Sequence, residues 1–117
     1  MGASFILAAI ALVAVGPHSP IQHRCGWLDN PTPANWWLTD SQGEWILSVQ
    51  GGYQAPGLDD MPDMSTHGWV ETNGYYGYTC ACLDVTVDDA AHRITRLVKT
   101  TAVPLRKCRA DPKLPKR

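Results

Sequence analysis

Four cysteines constrain the fold of this 117-residue chain more than any other feature. They are Cys25, Cys80, Cys82 and Cys108. An even number of cysteines in a small chain is typical of a disulfide framework, because the core of such a chain is too small to be stable alone. Residues i and i+2 of a strand point the same way from Cα atoms near the upper limit of disulfide geometry, so a Cys80–Cys82 bond would be strained. We therefore predict two disulfides that tie the strand of Cys80 and Cys82 to two different segments, one near each remaining cysteine.

The N-terminus predicts export. Phe5 to Val15 is an uninterrupted apolar run, too short to span a bilayer and of the length found in secretory signal peptides. We predict a signal peptide over residues 1–16 and a mature protein in the periplasm or outside the cell, with no stable membrane span. Two features depart from the usual pattern, since Met1 to Ser4 contains no Lys or Arg and the small-residue cleavage site is followed by Pro17. The alternative is that the run forms a buried first strand or helix.

Short β-branched and aromatic runs between turn residues predict strands paired in hairpins. Trp36 to Thr39 and Trp45 to Val49 flank a turn composition at Asp40 to Gly43, which predicts the first hairpin. Asn73-Gly74 is a strong short-range turn signal and predicts a second hairpin between the runs on either side of it. No helix longer than one turn is expected.

The clearest strand carries the two central cysteines. Leu83, Val85 and Val87 alternate with polar residues, so the cysteines lie on the polar face of this strand. The disulfides are therefore expected outside the main core, or as bridges to a segment that covers this face. Ile94 to Thr100 is the expected partner strand.

These elements predict one all-β domain over residues 25–111. We expect five to seven short antiparallel strands, arranged as hairpins or a meander in a sandwich-like or barrel-like fold held by two disulfides. Pro112 and Pro115 predict a flexible basic tail over residues 112–117. The protein is expected to be a monomer.

Charge is segregated along the chain. Between Cys25 and His92 there are ten acidic residues and no Lys or Arg, whereas Arg93 to Arg117 holds nine basic residues and one Asp. The basic segment is expected to lie against the acidic body and neutralise it. Alternatively, it contacts an anionic envelope surface or leaves the acidic face to a basic partner. The net charge of −1 gives no case for binding nucleic acid.

Tryptophan and tyrosine supply the candidate ligand-binding residues, because both combine polar groups with large apolar area and both collect on binding surfaces. The candidates are Trp27, Trp36, Trp37, Tyr53, Trp69 and Tyr76. Trp36 and Trp37 are adjacent, so in a strand they point to opposite faces and at least one lies outside the main core. The long loop containing residues 55–66 is a further candidate, since loops of this length are often functional. These features predict recognition of an envelope or secreted protein, as by an inhibitor, or of a cell-wall glycan. The alternative is that the tryptophans form the core of a small β domain.

Motifs for catalysis and metal binding are weak. Cys80-Ala81-Cys82 would serve as the redox pair of a thiol–disulfide protein, but redox and zinc motifs usually place two residues between cysteines. Asp59, Asp60 and Asp63 offer carboxylates to a hard cation, yet they lack the spacing of a calcium loop. No serine lies in a nucleophile-elbow motif. We expect no enzyme activity, no cofactor and no metal.

Several segments resemble a known family. The segments are Cys25 to Leu38, Gln50 to Tyr53, Tyr76 to Tyr78 with Cys80 to Leu83, and Pro104-Leu105 with Cys108-Arg109 and Asp111. Together they are similar to small exported bacterial proteins of a domain family of unknown function, family 4087, and the resemblance covers most of residues 25–111. It implies export and four paired cysteines, and it brings no known activity and no catalytic residues.

Overall fold

The computed structural model describes residues 19–117, together with Gly2 and Ser4. The predicted signal peptide, apart from these two residues, lies outside the described part of the chain. The strands are β1 (Gln22–Thr32), β2 (Asn35–Asp40), β3 (Gly43–Ser48), β4 (Val70–Asn73), β5 (Tyr76–Asp88) and β6 (Arg93–Val103), and one helix follows, α1 (Leu105–Ala110). Both predicted hairpins are present, β2 with β3 and β4 with β5, and β6 is the antiparallel partner of β5. The all-β prediction is thus confirmed, but the prediction that no helix exceeds one turn is wrong.

Five of the strands close into a barrel. β1, β2 and β3 form an antiparallel meander, β5 returns to pair with the free edge of β1, and β6 lies between β5 and β3. Three hairpin-connected strands with a fourth beside the first define a Greek key. The fold therefore belongs to the five-stranded Greek-key barrels, a class that includes the OB-fold and hosts many functions. β4 adds a short sixth strand beside β5.

The barrel closes through one parallel contact, which differs from the antiparallel arrangement expected from sequence. β3 and β6 pair at Ile46 and Arg93, and the Ile46 N–H donates to the carbonyl of His92 over 2.9 Å. The contact is parallel because β6, the antiparallel partner of β5, has to run in the same direction as β3 to fill the gap between them. Two register shifts in the β5–β6 pair bend these strands toward closure.

The barrel interior is filled by alternating side chains from every barrel strand, as the alternation around Leu83 and Val85 predicts. Its fully buried members include Leu28, Leu38, Trp45, Leu47, Leu83, Val85 and Ile94. Burying a side chain of this size contributes about 1.5–3 kcal/mol, so this cluster is the main source of stability.

A second cluster covers the outer face of β1 and β5. It contains Trp27, Cys80, Cys108 and Leu114, all at most 6% exposed. We call it the covered face. Because α1 and residues 112–117 lie over it, β1 is buried on both sides from Gly26 to Asn30.

The short helix α1 follows directly after Pro104, its N-cap residue. Its residues Leu105–Ala110 are mostly good helix formers, and Cys108 faces the barrel through a disulfide. Six residues are too few to show a helical period in the sequence, which explains why the helix was not expected.

Residues 112–117, expected to form a flexible tail, contact the covered face. Leu114 is 6% exposed, and the carbonyl of Pro115 accepts a hydrogen bond from Trp27 Nε1 over 2.9 Å. The guanidinium of Arg117 forms a bidentate ion pair with Asp29. The final basic residue therefore lies against the acidic body, as charge segregation predicts. Within the described residues, no helix is long and apolar enough to cross a membrane.

Candidate functional site

A surface groove with a volume of about 460 Å³ lies on one side of the barrel. It is bounded by the β1–β2 turn, the start of β2, the end of β3, the β4–β5 turn and the long segment that joins β3 to β4. We call that segment, residues 49–69, the groove loop. It contains the stretch that the sequence singles out as a functional loop, and it includes two 3₁₀ turns, Leu58–Asp60 and Met64–Thr66.

The groove loop is anchored to the barrel through its backbone. The Ala55 N–H donates to the carbonyl of Leu47, and the Leu97 N–H donates to the carbonyl of Pro56, both over 2.8 Å. Gly57 follows at φ 92°, and a Cβ there would lie 2.0 Å from the Leu97 carbonyl oxygen. Only glycine fits both the positive φ and the close approach. The groove loop is therefore held in place against the barrel and forms part of the groove lining.

Three aromatic rings form one side of the groove. Trp36 packs against the barrel core, and its ring centre lies 6.3 Å from that of Trp69 at an interplanar angle of 55°. Trp69 Nε1 donates to the carbonyl of Tyr75 over 3.1 Å, which ties the ring to the β4–β5 turn. Tyr75 itself is 89% exposed. The groove therefore presents three π faces of graded exposure.

Carboxylates and thioethers also line the groove. Asp59 and Asp63 line it together with Met61 and Met64, and no Lys, Arg or His is among the lining residues. The ion pairs within residues 19–117 lie elsewhere, at Asp84, Asp40 and Asp29. The groove is therefore locally acidic.

Asp63 is held in its ionised form by a local turn. The hydroxyl of Ser65 donates to Asp63 Oδ1 over 2.6 Å, and the Ser65 backbone N–H donates to the same oxygen over 3.0 Å. These two hydrogen bonds, the hydroxyl first, hold the pKa of Asp63 below its usual range. Asp63 is therefore negatively charged at neutral pH.

Of the six aromatic candidates, the structure brings Trp36 and Trp69 into the groove. Trp27 is fully buried in the covered face, and its indole N–H is already bonded to the chain. Tyr53 donates its hydroxyl to the Ile94 carbonyl over 2.9 Å. Trp37 and Tyr76 are half-buried and do not line the groove.

Tyr75 is the groove residue that sequence reasoning missed. It directly follows the predicted Asn73-Gly74 turn, and a residue beside a tight turn tends to be exposed. Its position beside the turn was the sequence signal that could have identified Tyr75 as an exposed aromatic residue. The strand pattern instead drew attention to Tyr76.

Cys80 and Cys82 bond to two different segments, as predicted, and the structure adds which cysteine pairs with which. Cys25 joins Cys82, with Cα atoms 4.0 Å apart, and Cys80 joins Cys108, with Cα atoms 5.9 Å apart. The two bonds lie on the outer face of β5, outside the main core, and the second bridges to the helix that covers this face. The hypothesis of a Cys80–Cys82 redox pair is wrong, because each of these cysteines bonds to a different segment.

The fold and the groove define a small, disulfide-bonded, all-β domain with an acidic surface groove lined by aromatic residues. Two disulfides in so small a chain are typical of proteins that fold in an oxidising compartment. The chain belongs to a family described as a protein of unknown function (DUF4087), whose family model matches residues 19–115. No curated protein and no solved structure matches the chain.

Proposed function

We propose that this protein is an exported, non-catalytic binding module whose groove receives a Lys or Arg side chain of an envelope or secreted protein. Export through the N-terminal segment to the periplasm or beyond agrees with the two disulfides, which persist in oxidising compartments. The observation that carries the proposal is the coincidence, in one groove, of aromatic rings and carboxylates that form no ion pair with the Lys and Arg side chains of residues 19–117.

Elsewhere in the described residues, arginines of this chain stack on its aromatic rings. The Arg24 guanidinium lies 3.9 Å from the centre of Trp45, and that of Arg93 lies 4.6 Å from the centre of Tyr53. Arg117 lies within 5.5 Å of the ring centres of two further aromatic residues. These rings use the cation–π attraction, which contributes about 0.5–2 kcal/mol at such distances. The same attraction remains available to an incoming cation at the groove rings.

The groove carboxylates add charge complementarity. Asp59 accepts a hydrogen bond from the neutral amide of Gln54 over 2.8 Å, and Asp63 accepts from Ser65. Neither bond cancels the negative charge. A guanidinium or ammonium group placed near the rings and these carboxylates would therefore gain charge-assisted hydrogen bonds.

The same arrangement argues against hydrolytic chemistry at this site. Ser65 is the hydroxyl nearest to a carboxylate, and its proton is donated to Asp63. A carboxylate with a lowered pKa is a weak base, so the pair does not activate the hydroxyl as a nucleophile. No histidine lines the groove.

The proposal is tested with two matched peptides, one of repeated Gly-Ser-Arg units and one of repeated Gly-Ser-Glu units. We expect only the basic peptide to shift the indole N–H signals of Trp36 and Trp69 in NMR spectra, with a Kd of about 10⁻⁴ to 10⁻³ M because the groove is small. The affinity should fall as salt is added. The double variant Asp59→Asn with Asp63→Asn should weaken binding by about tenfold.

The control is Asp89→Asn, which removes an exposed carboxylate that lies outside the groove. It should leave the affinity unchanged. Equal affinity of the double variant and the control for the basic peptide would contradict the proposal. Binding of a neutral cell-wall oligosaccharide in place of the basic peptide, at the same indole signals, would instead favour the glycan alternative.

A further inference from the structure

The two disulfides differ sharply in their surroundings. Cys80 and Cys108 are 2% and 3% exposed. Cys108 is on the buried side of α1, and the C-terminal residue Leu114 packs in the same cluster. Cys25 is exposed, and Cys82, directly opposite it on β5, is half-buried. A solvent thiol can therefore reach the Cys25–Cys82 bond in the folded protein, whereas it reaches the other bond only after the covering segments move.

An imidazole stands beside the exposed bond. His23 lies two residues before Cys25 on β1, so both side chains are on the same face, and Asp84 lies directly opposite His23 on β5. His23 Nδ1 is 2.7 Å from Asp84 Oδ1, and His23 Nε2 is 3.5 Å from the sulfur of Cys25. In the neutral tautomer with the proton on Nδ1, this N–H donates to the Asp84 carboxylate and the lone pair of Nε2 faces the disulfide.

We propose that Cys25–Cys82 is a site of thiol–disulfide exchange, in which His23 acts as the base and Asp84 orients it. An incoming thiol, RSH, gives its proton to His23 Nε2, and the resulting thiolate attacks the sulfur of Cys25. The R–S–Cys25 bond forms while the Cys25–Cys82 bond breaks. Cys82 leaves as a thiolate and takes the proton back from His23. The product is a mixed disulfide on Cys25 with a free Cys82 thiol, so atoms and electrons balance with the thiol as the reductant.

Exchange at this position does not require the barrel to open. β1 and β5 remain paired in register from Gln22 to Asn30 against Val85 to Gly77, and the second disulfide still ties β5 to α1. The site is separate from the groove, so this inference does not depend on the proposed function.

The test exposes the folded protein to reduced glutathione, traps free thiols with N-ethylmaleimide and maps the products by mass spectrometry. We expect a glutathione adduct on Cys25 and a trapped thiol on Cys82. The Cys25–Cys82 bond should react at least about tenfold faster than Cys80–Cys108. Equal rates for the two bonds, or an adduct on Cys82 instead of Cys25, would overturn the proposal.

The role of His23 is tested with His23→Gln, and His67→Gln serves as the control because His67 is also exposed and lies outside the β1–β5 pair that carries Cys25 and Cys82. We expect His23→Gln to slow glutathione exchange by about tenfold and the control to leave it unchanged. A phosphine reductant, tris(2-carboxyethyl)phosphine, attacks a disulfide without first losing a thiol proton and should react equally with all three proteins. A loss of rate with both reductants would show that His23 acts only on structure and would overturn its assignment as the base.

Discussion

The covered face and the groove are both built around tryptophan, yet they use it in opposite ways. In the covered face, Trp27 is fully buried, meets Tyr78 edge to face at 5.3 Å and donates its N–H to a backbone carbonyl. In the groove, Trp36 and Trp69 are half-buried and keep part of each ring open to solvent. The difference teaches that tryptophans in one small β domain can fill a buried cluster or line an open groove, and that burial separates the two environments.

Charge follows the same division. At the covered face, Asp29 is paired with Arg117 from the basic C-terminal segment. In the groove, Asp59 and Asp63 accept hydrogen bonds from neutral groups. The basic segment therefore neutralises the acidic body at one place and leaves it acidic at the other.

The largest expected effect concerns Trp27. Trp27→Ala removes a fully buried indole and its hydrogen bond, and should lower the free energy of unfolding by about 3–5 kcal/mol. Trp69→Ala, in the groove, should cost only about 1–2 kcal/mol, because the ring is half-buried. Urea denaturation followed by circular dichroism measures both. Similar losses for the two variants would remove the distinction between the regions.

A smaller effect is expected at the end of the chain. Leu114→Ala should lower the free energy of unfolding by about 2 kcal/mol, the lower limit for a buried leucine, since Leu114 is the most exposed of the four buried residues of the covered face. It should also speed hydrogen exchange of the Trp27 indole N–H, whose acceptor is the neighbouring Pro115. Lys116→Ala is the matched control, because Lys116 is exposed. If neither variant changes stability or exchange, the C-terminal residues do not cover Trp27 in solution.

The smallest effect is the titration of Asp63. A lowered pKa in the folded state means that the Ser65 hydrogen bonds stabilise the 3₁₀ turn at pH values above the unfolded pKa of about 3.9, and that this contribution is lost as the pH falls through the folded pKa. NMR titration of the Asp63 carboxyl carbon and the Ser65 amide should show both changes together. Ser65→Ala should raise the pKa of Asp63 toward its usual value. An unchanged pKa in that variant would assign the shift to another cause.

Features governed by neighbouring residues could be predicted from the sequence. The Asn73-Gly74 turn, the alternation around Leu83 and the incompatibility of a Cys80–Cys82 bond all depend on geometry within a few residues, and the structure agrees with each. Barrel closure at Ile46 and Arg93 could not be predicted, because it joins strands far apart in the chain.

The site was harder to predict than the fold. Trp27 and Trp36 are chemically identical, and only the arrival of the C-terminal residues over Trp27 separates their environments. The loop, Asp59 and Asp63 were visible as candidates in the sequence. Their convergence with Tyr75 depends on how the groove loop packs on Leu47 and Leu97, which no local pattern reveals.

The two disulfides also determine what becomes of the molecule when its backbone is cut. Cys25 lies before the groove loop and Cys82 lies after it, so a protease that cleaves once within residues 49–69 produces two fragments that remain covalently joined. The C-terminal fragment holds the second bond as an internal loop. A single cleavage therefore nicks the wall of the groove without releasing either half, and separation of the halves requires reduction of the exposed bond as well.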